Sequence, residues 1–213
     1  MDLIVIGDSR HQILSHLLEQ KMGATVEELM GVLKVSRTSI NQHIAVLERE
    51  GYVRKAEQRR TAGRPVRCYA LTENGQNFFP KKYSWFSKVL LSTLQEQLGD
   101  DKLSSYMYDL GLKMSADLIP RLVGKNRIER VAEIVRIMNE TGFRASEIDA
   151  EPSDKLPRVE CTNCVYHDLA KDYPAVCRFD IGFLSGLMGA EVEHQSCMHR
   201  EATACRFRFK PYS

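Results

Sequence analysis

Six cysteines carry the reactive chemistry of this 213-residue chain, and they are unevenly placed. Cys68 stands alone, whereas Cys161, Cys164, Cys177, Cys197 and Cys205 fall within the last 53 residues. No apolar run approaches the ~20 residues of a membrane span. The opening LIVIG is too short for a signal core and has acidic Asp2 beside it. The expected location is therefore cytoplasmic, where thiols stay reduced. An odd cluster in that setting argues against a disulfide framework and for a metal or redox site.

Periodicity sorts these thiols. Cys205, Phe207 and Phe209 alternate with Arg206, Arg208 and Lys210, so Cys205 points inward from a strand. Cys177 shares a helical stripe with Ile181, Leu184 and Met188. Cys164 falls at the expected start of a helix over 163–172, where the helix dipole favours a thiolate. Cys161 lies just upstream and can reach the same place. On a strand over 191–199, Val192 and Met198 face inward and take His194 and Ser196 with them. That phase puts Cys197 on the outer face with Glu191, Glu193, Gln195 and His199, so it reads as peripheral. Cys68, on an expected strand, reads as a small buried hydrophobe.

Three or four converging thiolates suit zinc or an iron–sulfur cluster. The chain has only one close pair, Cys161-x-x-Cys164, so it lacks the paired pattern of a zinc ribbon. On residue chemistry alone the metal stays open, with buried structural cysteines as the plain alternative. Enzymatic use is not expected. No general base, nucleotide loop or substrate constellation accompanies the thiols, and His167 and Asp168 read as a solvated helix face.

The elements that would use such a site lie upstream. Apolar content of 43% and charged content of 27% suit a soluble globular chain of one or two domains. Asp8 or Ser9 can cap a helix bearing Ile13, Leu14, Leu17 and Leu18, with Ile6 as a staple. Thr25 and Glu28 form a capping box, and Ser36 caps a third helix that ends at Gly51. That is helix-turn-helix spacing. The third helix opens with Arg37, Thr38, Ser39, Asn41, Gln42 and His43, side chains that pair with base edges and phosphates. Two strands follow, about 52–56 and 66–71, around an arginine-tipped loop with Arg59, Arg60 and Arg64. This is a wing suited to phosphates or the minor groove. Residues 31–71 hold nine basic and three acidic side chains, in a protein whose net charge is only +2. The stretch 9–80 resembles winged helices of the ArsR, MarR and DeoR kind.

The overall expectation is an α+β protein in three parts. Residues 1–80 form the winged helix-turn-helix, and residues 81–124 a helical linker for dimerisation. Residues 125–213 form an α+β sensor domain, with a turn at EPSDK (151–155) and a final hairpin. The partner is double-stranded DNA with a palindromic operator, read by a homodimer joined through the helix beginning near Tyr83.

With the winged helix in front, the spacing Cys164-x12-Cys177-x27-Cys205 and the segments YPAVC, VEHQSCM and CRFRF resemble the SufR family of iron–sulfur-dependent transcriptional regulators. The resemblance covers nearly the whole chain, and the cysteine spacing is its specific part. It implies a homodimer with one [4Fe-4S] cluster per subunit on Cys164, Cys177 and Cys205, repressing cluster-assembly genes when loaded. Zinc with another signal is the alternative. Cys161 is the expected fourth ligand, His194 the next, then solvent or a small thiol. The turn REATA (200–204) departs from the glycines usual before the last cysteine.

Overall fold

Side-chain caps start the second and third helices where the sequence predicts them. A computed structural model describes residues 7–59, 65–149 and 156–212 and divides the chain into two units, Met1–Lys81 and Lys82–Ser213. In the first unit, α1 (Asp8–Glu19) begins after Gly7, with Asp8 in its first turn rather than capping by its side chain. Thr25 caps α2 (Val26–Leu33) in a complete capping box: the Glu28 N–H donates to Thr25 Oγ1 at 3.2 Å, and the Thr25 N–H donates to Glu28 Oε2 at 2.8 Å. Ser36 accepts from the Ser39 N–H to start α3 (Arg37–Arg49), and Gly51 follows with a φ of 77° that favours glycine.

Ile13, Leu14, Leu17, Leu29, Ile40, Ile44 and Leu47 bury one helical stripe each against Val53 and Leu71. Leu18, expected in that stripe, is exposed. The sheet is antiparallel with β3 (Cys68–Leu71) between β1 (Ala24–Thr25) and β2 (Val53–Lys55). An isolated Arg59–Val66 bridge extends the wing. Thr72 caps the short α4 (Glu73–Asn77), and Cys68 is fully buried. Ile6 and the wing-tip Arg60 and Arg64 lie outside the described residues, as does the EPSDK turn.

The second unit contains α5 (Tyr83–Leu98), α6 (Asp100–Ser115) and a 3-10 segment Ala116–Leu122 that ends the run around Pro120. Then come α7 (Arg127–Glu140), β4 (Ala145–Ile148), β5 (Arg158–Cys161), α8 (His167–Ala170) and α9 (Cys177–Met188). The chain finishes with β6 (Glu191–Ser196) and β7 (Cys205–Lys210). The sheet is antiparallel in the order β4-β5-β7-β6. Its inner face, carrying Val159, Phe207 and Phe209, packs with Ile134, Ile137 and Met138 of α7 and Leu184 and Leu187 of α9.

The boundary expected near residue 124 falls inside this unit. The reason is a close helix crossing. A Cβ on Gly111 of α6 would strike the Phe179 carbonyl of α9, and one on Gly182 would strike the Tyr108 carbonyl. A Cβ on Gly186 would strike the Ser115 side chain, whose hydroxyl donates to the Leu112 carbonyl. Small residues four apart on both helices let the backbones touch, so α6 belongs to the same core as α9.

Candidate functional site

In the first unit the candidate DNA-reading side chains open α3. Arg37, Thr38, Asn41 and Gln42 are exposed, because Ile40 and Ile44 hold the opposite face in the core. Ser39 and His43 are half-buried and meet at 3.4 Å between Oγ and Nε2. Arg37 pairs with Glu27 at the surface. Arg59 is tied into its own domain: its guanidinium donates to Glu28 Oε1 at 2.6 Å and to the Gly23 carbonyl at 2.8 Å. It therefore braces the base of the wing against the start of α2. A cleft beside α3 is lined by Glu27, Arg37, Asn41, Gln58 and Arg67, so Gln58 and Arg67 join the set the sequence singles out.

In the second unit five thiols lie on separate chain segments, and the donors that all stand close together are those of Cys197, Cys205 and His194, not of Cys164 or Cys177. Cys161 ends β5 opposite Cys205, its cross-strand partner at the start of β7. Cys164 follows in a loop held in place by bonds from the Asn163 N–H to the Phe143 carbonyl (3.0 Å) and from Asn163 Nδ2 to the Gly142 carbonyl (2.6 Å). Cys177 is the first residue of α9. Cys197 lies between β6 and the 3-10 turn Met198–Arg200. Cys161, Cys197 and Cys205 are buried, and Cys164 and Cys177 are half-buried.

Two expectations need correcting. Cys197 does not sit on the outer face; it is 8% exposed and part of the core. A bulge between His194 and Ser196 is the cause: His194 pairs with Phe207 and Ser196 with Arg206, so Gln195 is an extra residue. Past it the alternation reverses, and Cys197 turns toward Cys205. Cys164 does not open a helix, because α8 starts three residues later and has only one turn. Burial raises its pKa, outweighing the lowering by a hydrogen bond from the backbone N–H of Tyr166.

The site is electrically coupled throughout. Burial, then the Cys205 thiol and the Asp180 carboxylate, push Cys161 up to about 12. Burial first, then Cys197 and Cys164, push Cys205 up to about 12, although the Met198 N–H donates to its sulfur at 3.4 Å. Cys177 is raised further by burial, by Cys197 and by Asp180. Such thiols stay protonated at neutral pH until a metal displaces the protons. His194 stacks on Phe207 at 4.7 Å between ring centres, and burial and then Arg200 lower its pKa, leaving the ring neutral. Its Nε2 is buried with no hydrogen-bond partner among the described residues. The donor atoms of His194, Cys197 and Cys205 all lie within 4.8 Å of one another.

Asp180, one turn into α9, is the group that sequence periodicity gives no reason to select. Burial pushes its carboxyl up to about 7. A folded-state pKa above the unfolded value means that the folded protein holds a proton the unfolded chain releases. That contribution is full below about pH 4 and is lost as pH rises through about 7. Metal-free protein should therefore lose thermal stability across this window, and Asp180→Asn should flatten the loss. Equal slopes for the two proteins in melts across pH would refute this account of Asp180.

The first unit has a basic winged-helix fold, and the second carries five of the six cysteines. Residues 13–81 match the family model described as "Transcriptional regulator PadR-like family". Among solved structures, the chain is similar to a cysteine-to-serine mutant of Lactococcus lactis ZitR. That similarity has a TM-score of 0.32 and 15% identity, and it covers 66% of this chain and 78% of that one. No curated protein matches. Among the described residues, no helix is long and apolar enough to cross a membrane.

Proposed function

We propose that this chain is a homodimeric transcriptional regulator whose DNA affinity is set by a [4Fe-4S] cluster on Cys164, Cys177 and Cys205, and that it represses genes for cluster assembly. The observation that carries the reading is that Cys161, Cys197 and Cys205 lie at one end of the β5-β7-β6 sheet, and that Cys164 acts electrostatically on Cys177 and Cys205. The residues suit such a group: soft sulfur donors, backbone N–H groups aimed at Cys164 and Cys205, and an unpartnered imidazole nitrogen beside them. When bound, the cluster supplies a centre that oxidants or iron shortage destroy.

The protein's own part is mechanical. Cys164, Cys177 and Cys205 tie a loop, α9 and β7 together, and α9 is locked to α6 by the glycine crossing. Next along the chain from α6, α5 presents Trp85, Phe86, Val89 and Leu90 to solvent while burying Leu91. In this reading a second copy covers that face, and the spacing of the paired recognition helices follows from it. Palindromic double-stranded DNA is then read by Arg37, Thr38, Asn41 and Gln42, with the wing arginines on phosphates.

A mononuclear zinc site is the second reading, favoured by one distance. Sulfur donors around tetrahedral zinc stand about 3.8 Å apart, and the His194, Cys197 and Cys205 donors lie within 4.8 Å. Anaerobic purification with iron, sulfide and zinc counts separates the two. DNA binding of loaded and stripped protein then tests regulation, and equal affinities would refute control by the metal. In the same assay, Arg60→Ala should weaken binding to all sequences and lower the salt slope by about 1. An unchanged slope would count against the wing.

A further inference from the structure

We infer that Cys197 is a metal ligand and completes a four-thiolate set with Cys164, Cys177 and Cys205. The inference rests on the reading that these thiols hold a metal, and it holds for a cluster or for zinc. Three observations carry it. The bulge at Gln195 turns Cys197 out of the strand alternation and into the core beside Cys205. Its sulfur lies within 4.8 Å of the Cys205 sulfur, and it is among the groups that raise the Cys177 thiol. It is also among the groups that raise the Cys164 thiol, so its charge acts on all three expected ligands.

The other two candidates take different roles. Cys161 is 1% exposed, in mid-sheet packing, and its main sulfur neighbours are Cys205 and Cys164. A side chain paired across strands with Cys205 is a wall of the site on this geometry, since moving it toward Cys177 would break the β5-β7 ladder. One ring nitrogen of His194 lies within 4.8 Å of the Cys197 and Cys205 sulfurs while the ring stays stacked on Phe207. A neutral imidazole held there can donate one N–H to a thiolate, which makes it a positioning residue.

The turn after Cys197 fits this role. Both the Arg200 and Ala202 N–H groups bond the Cys197 carbonyl, at 2.9 and 3.3 Å. Ser196 Oγ donates to the Ala204 carbonyl at 2.9 Å, and Glu201 takes a left-handed φ of 63° where glycine would be easier. The turn is therefore braced to hold Cys197 and Cys205 together.

The test is metal analysis after anaerobic reconstitution of wild type, Cys197→Ser, Cys161→Ser and His194→Ala, with far-UV circular dichroism to verify folding. Wild type should carry iron and sulfide, or zinc. Cys197→Ser should bind metal at least about tenfold more weakly or retain only a three-iron cluster. Cys161→Ser should keep wild-type metal content; loss of metal in His194→Ala together with wild-type content in Cys197→Ser would give the fourth position to the imidazole and overturn the assignment. Wild-type content and spectrum in Cys197→Ser would overturn the ligand assignment while leaving the metal reading intact. A wild type that holds no iron, sulfide or zinc would overturn both. If Cys197→Ser does not fold, Mössbauer or zinc-edge absorption spectra of wild type decide. Four protein sulfur ligands, with Cys161→Ser unchanged, support the assignment, and a nitrogen or oxygen ligand in their place refutes it.

Discussion

Cys177→Ser protein, reconstituted anaerobically with iron and sulfide, is expected to lack the visible thiolate-to-iron absorbance that wild type develops. Cys177 opens α9 in a region where burial, and then the charges of Cys197, Asp180 and Cys164, oppose a bare thiolate. A serine hydroxyl there is a hard donor and holds its proton more tightly than a thiol, so it replaces a soft thiolate poorly. The remaining thiols would then lose the only donor contributed by α9. DNA affinity of the variant should match that of stripped wild type. A wild-type spectrum in Cys177→Ser would end the cluster assignment.

Gly182→Ala should destabilise the second unit by about 3 kcal/mol, the upper end for overpacking, because the obstacle is backbone. The added Cβ would collide with the Tyr108 carbonyl, which α6 cannot move without separating from α9. For a unit of this size that corresponds to a fall in melting temperature of roughly 10 °C. Since Cys177 and Gly182 share α9, displacement of the helix should also weaken metal binding. By contrast, Gly31→Ala is a control, as nothing lies within 4 Å of its Cβ position and it is on exposed α2 surface in the other unit. A Gly182→Ala protein that melts with wild type would show that the helices have slack at this crossing.

Local rules made the first unit legible. Thr25 with Glu28 and Ser36 each cap the helix expected from sequence, and the Ile40, Ile44 and Leu47 stripe is buried as its spacing requires. These features depend on neighbours within a few residues. The second unit was legible where periodicity ran unbroken, as in Cys205, Phe207 and Phe209 or in Ile181, Leu184 and Met188. It was not legible at the α6-α9 crossing. Gly111, Gly182 and Gly186 read as weak helix positions until the partner helix is in view.

Residue types and spacing are enough to show which side chains could do chemistry, to place a helix-turn-helix near the front of the chain and to turn Cys177 and Cys205 inward. The setting of Cys197 is a matter of packing. Strand alternation holds while each residue has one cross-strand partner, and Gln195 has none in the ladder with β7. That one extra residue moves Cys197 from the surface into the site. The buried imidazole of His194 and the carboxyl of Asp180 join it there for the same reason: their surroundings come from strands and helices far away in the chain.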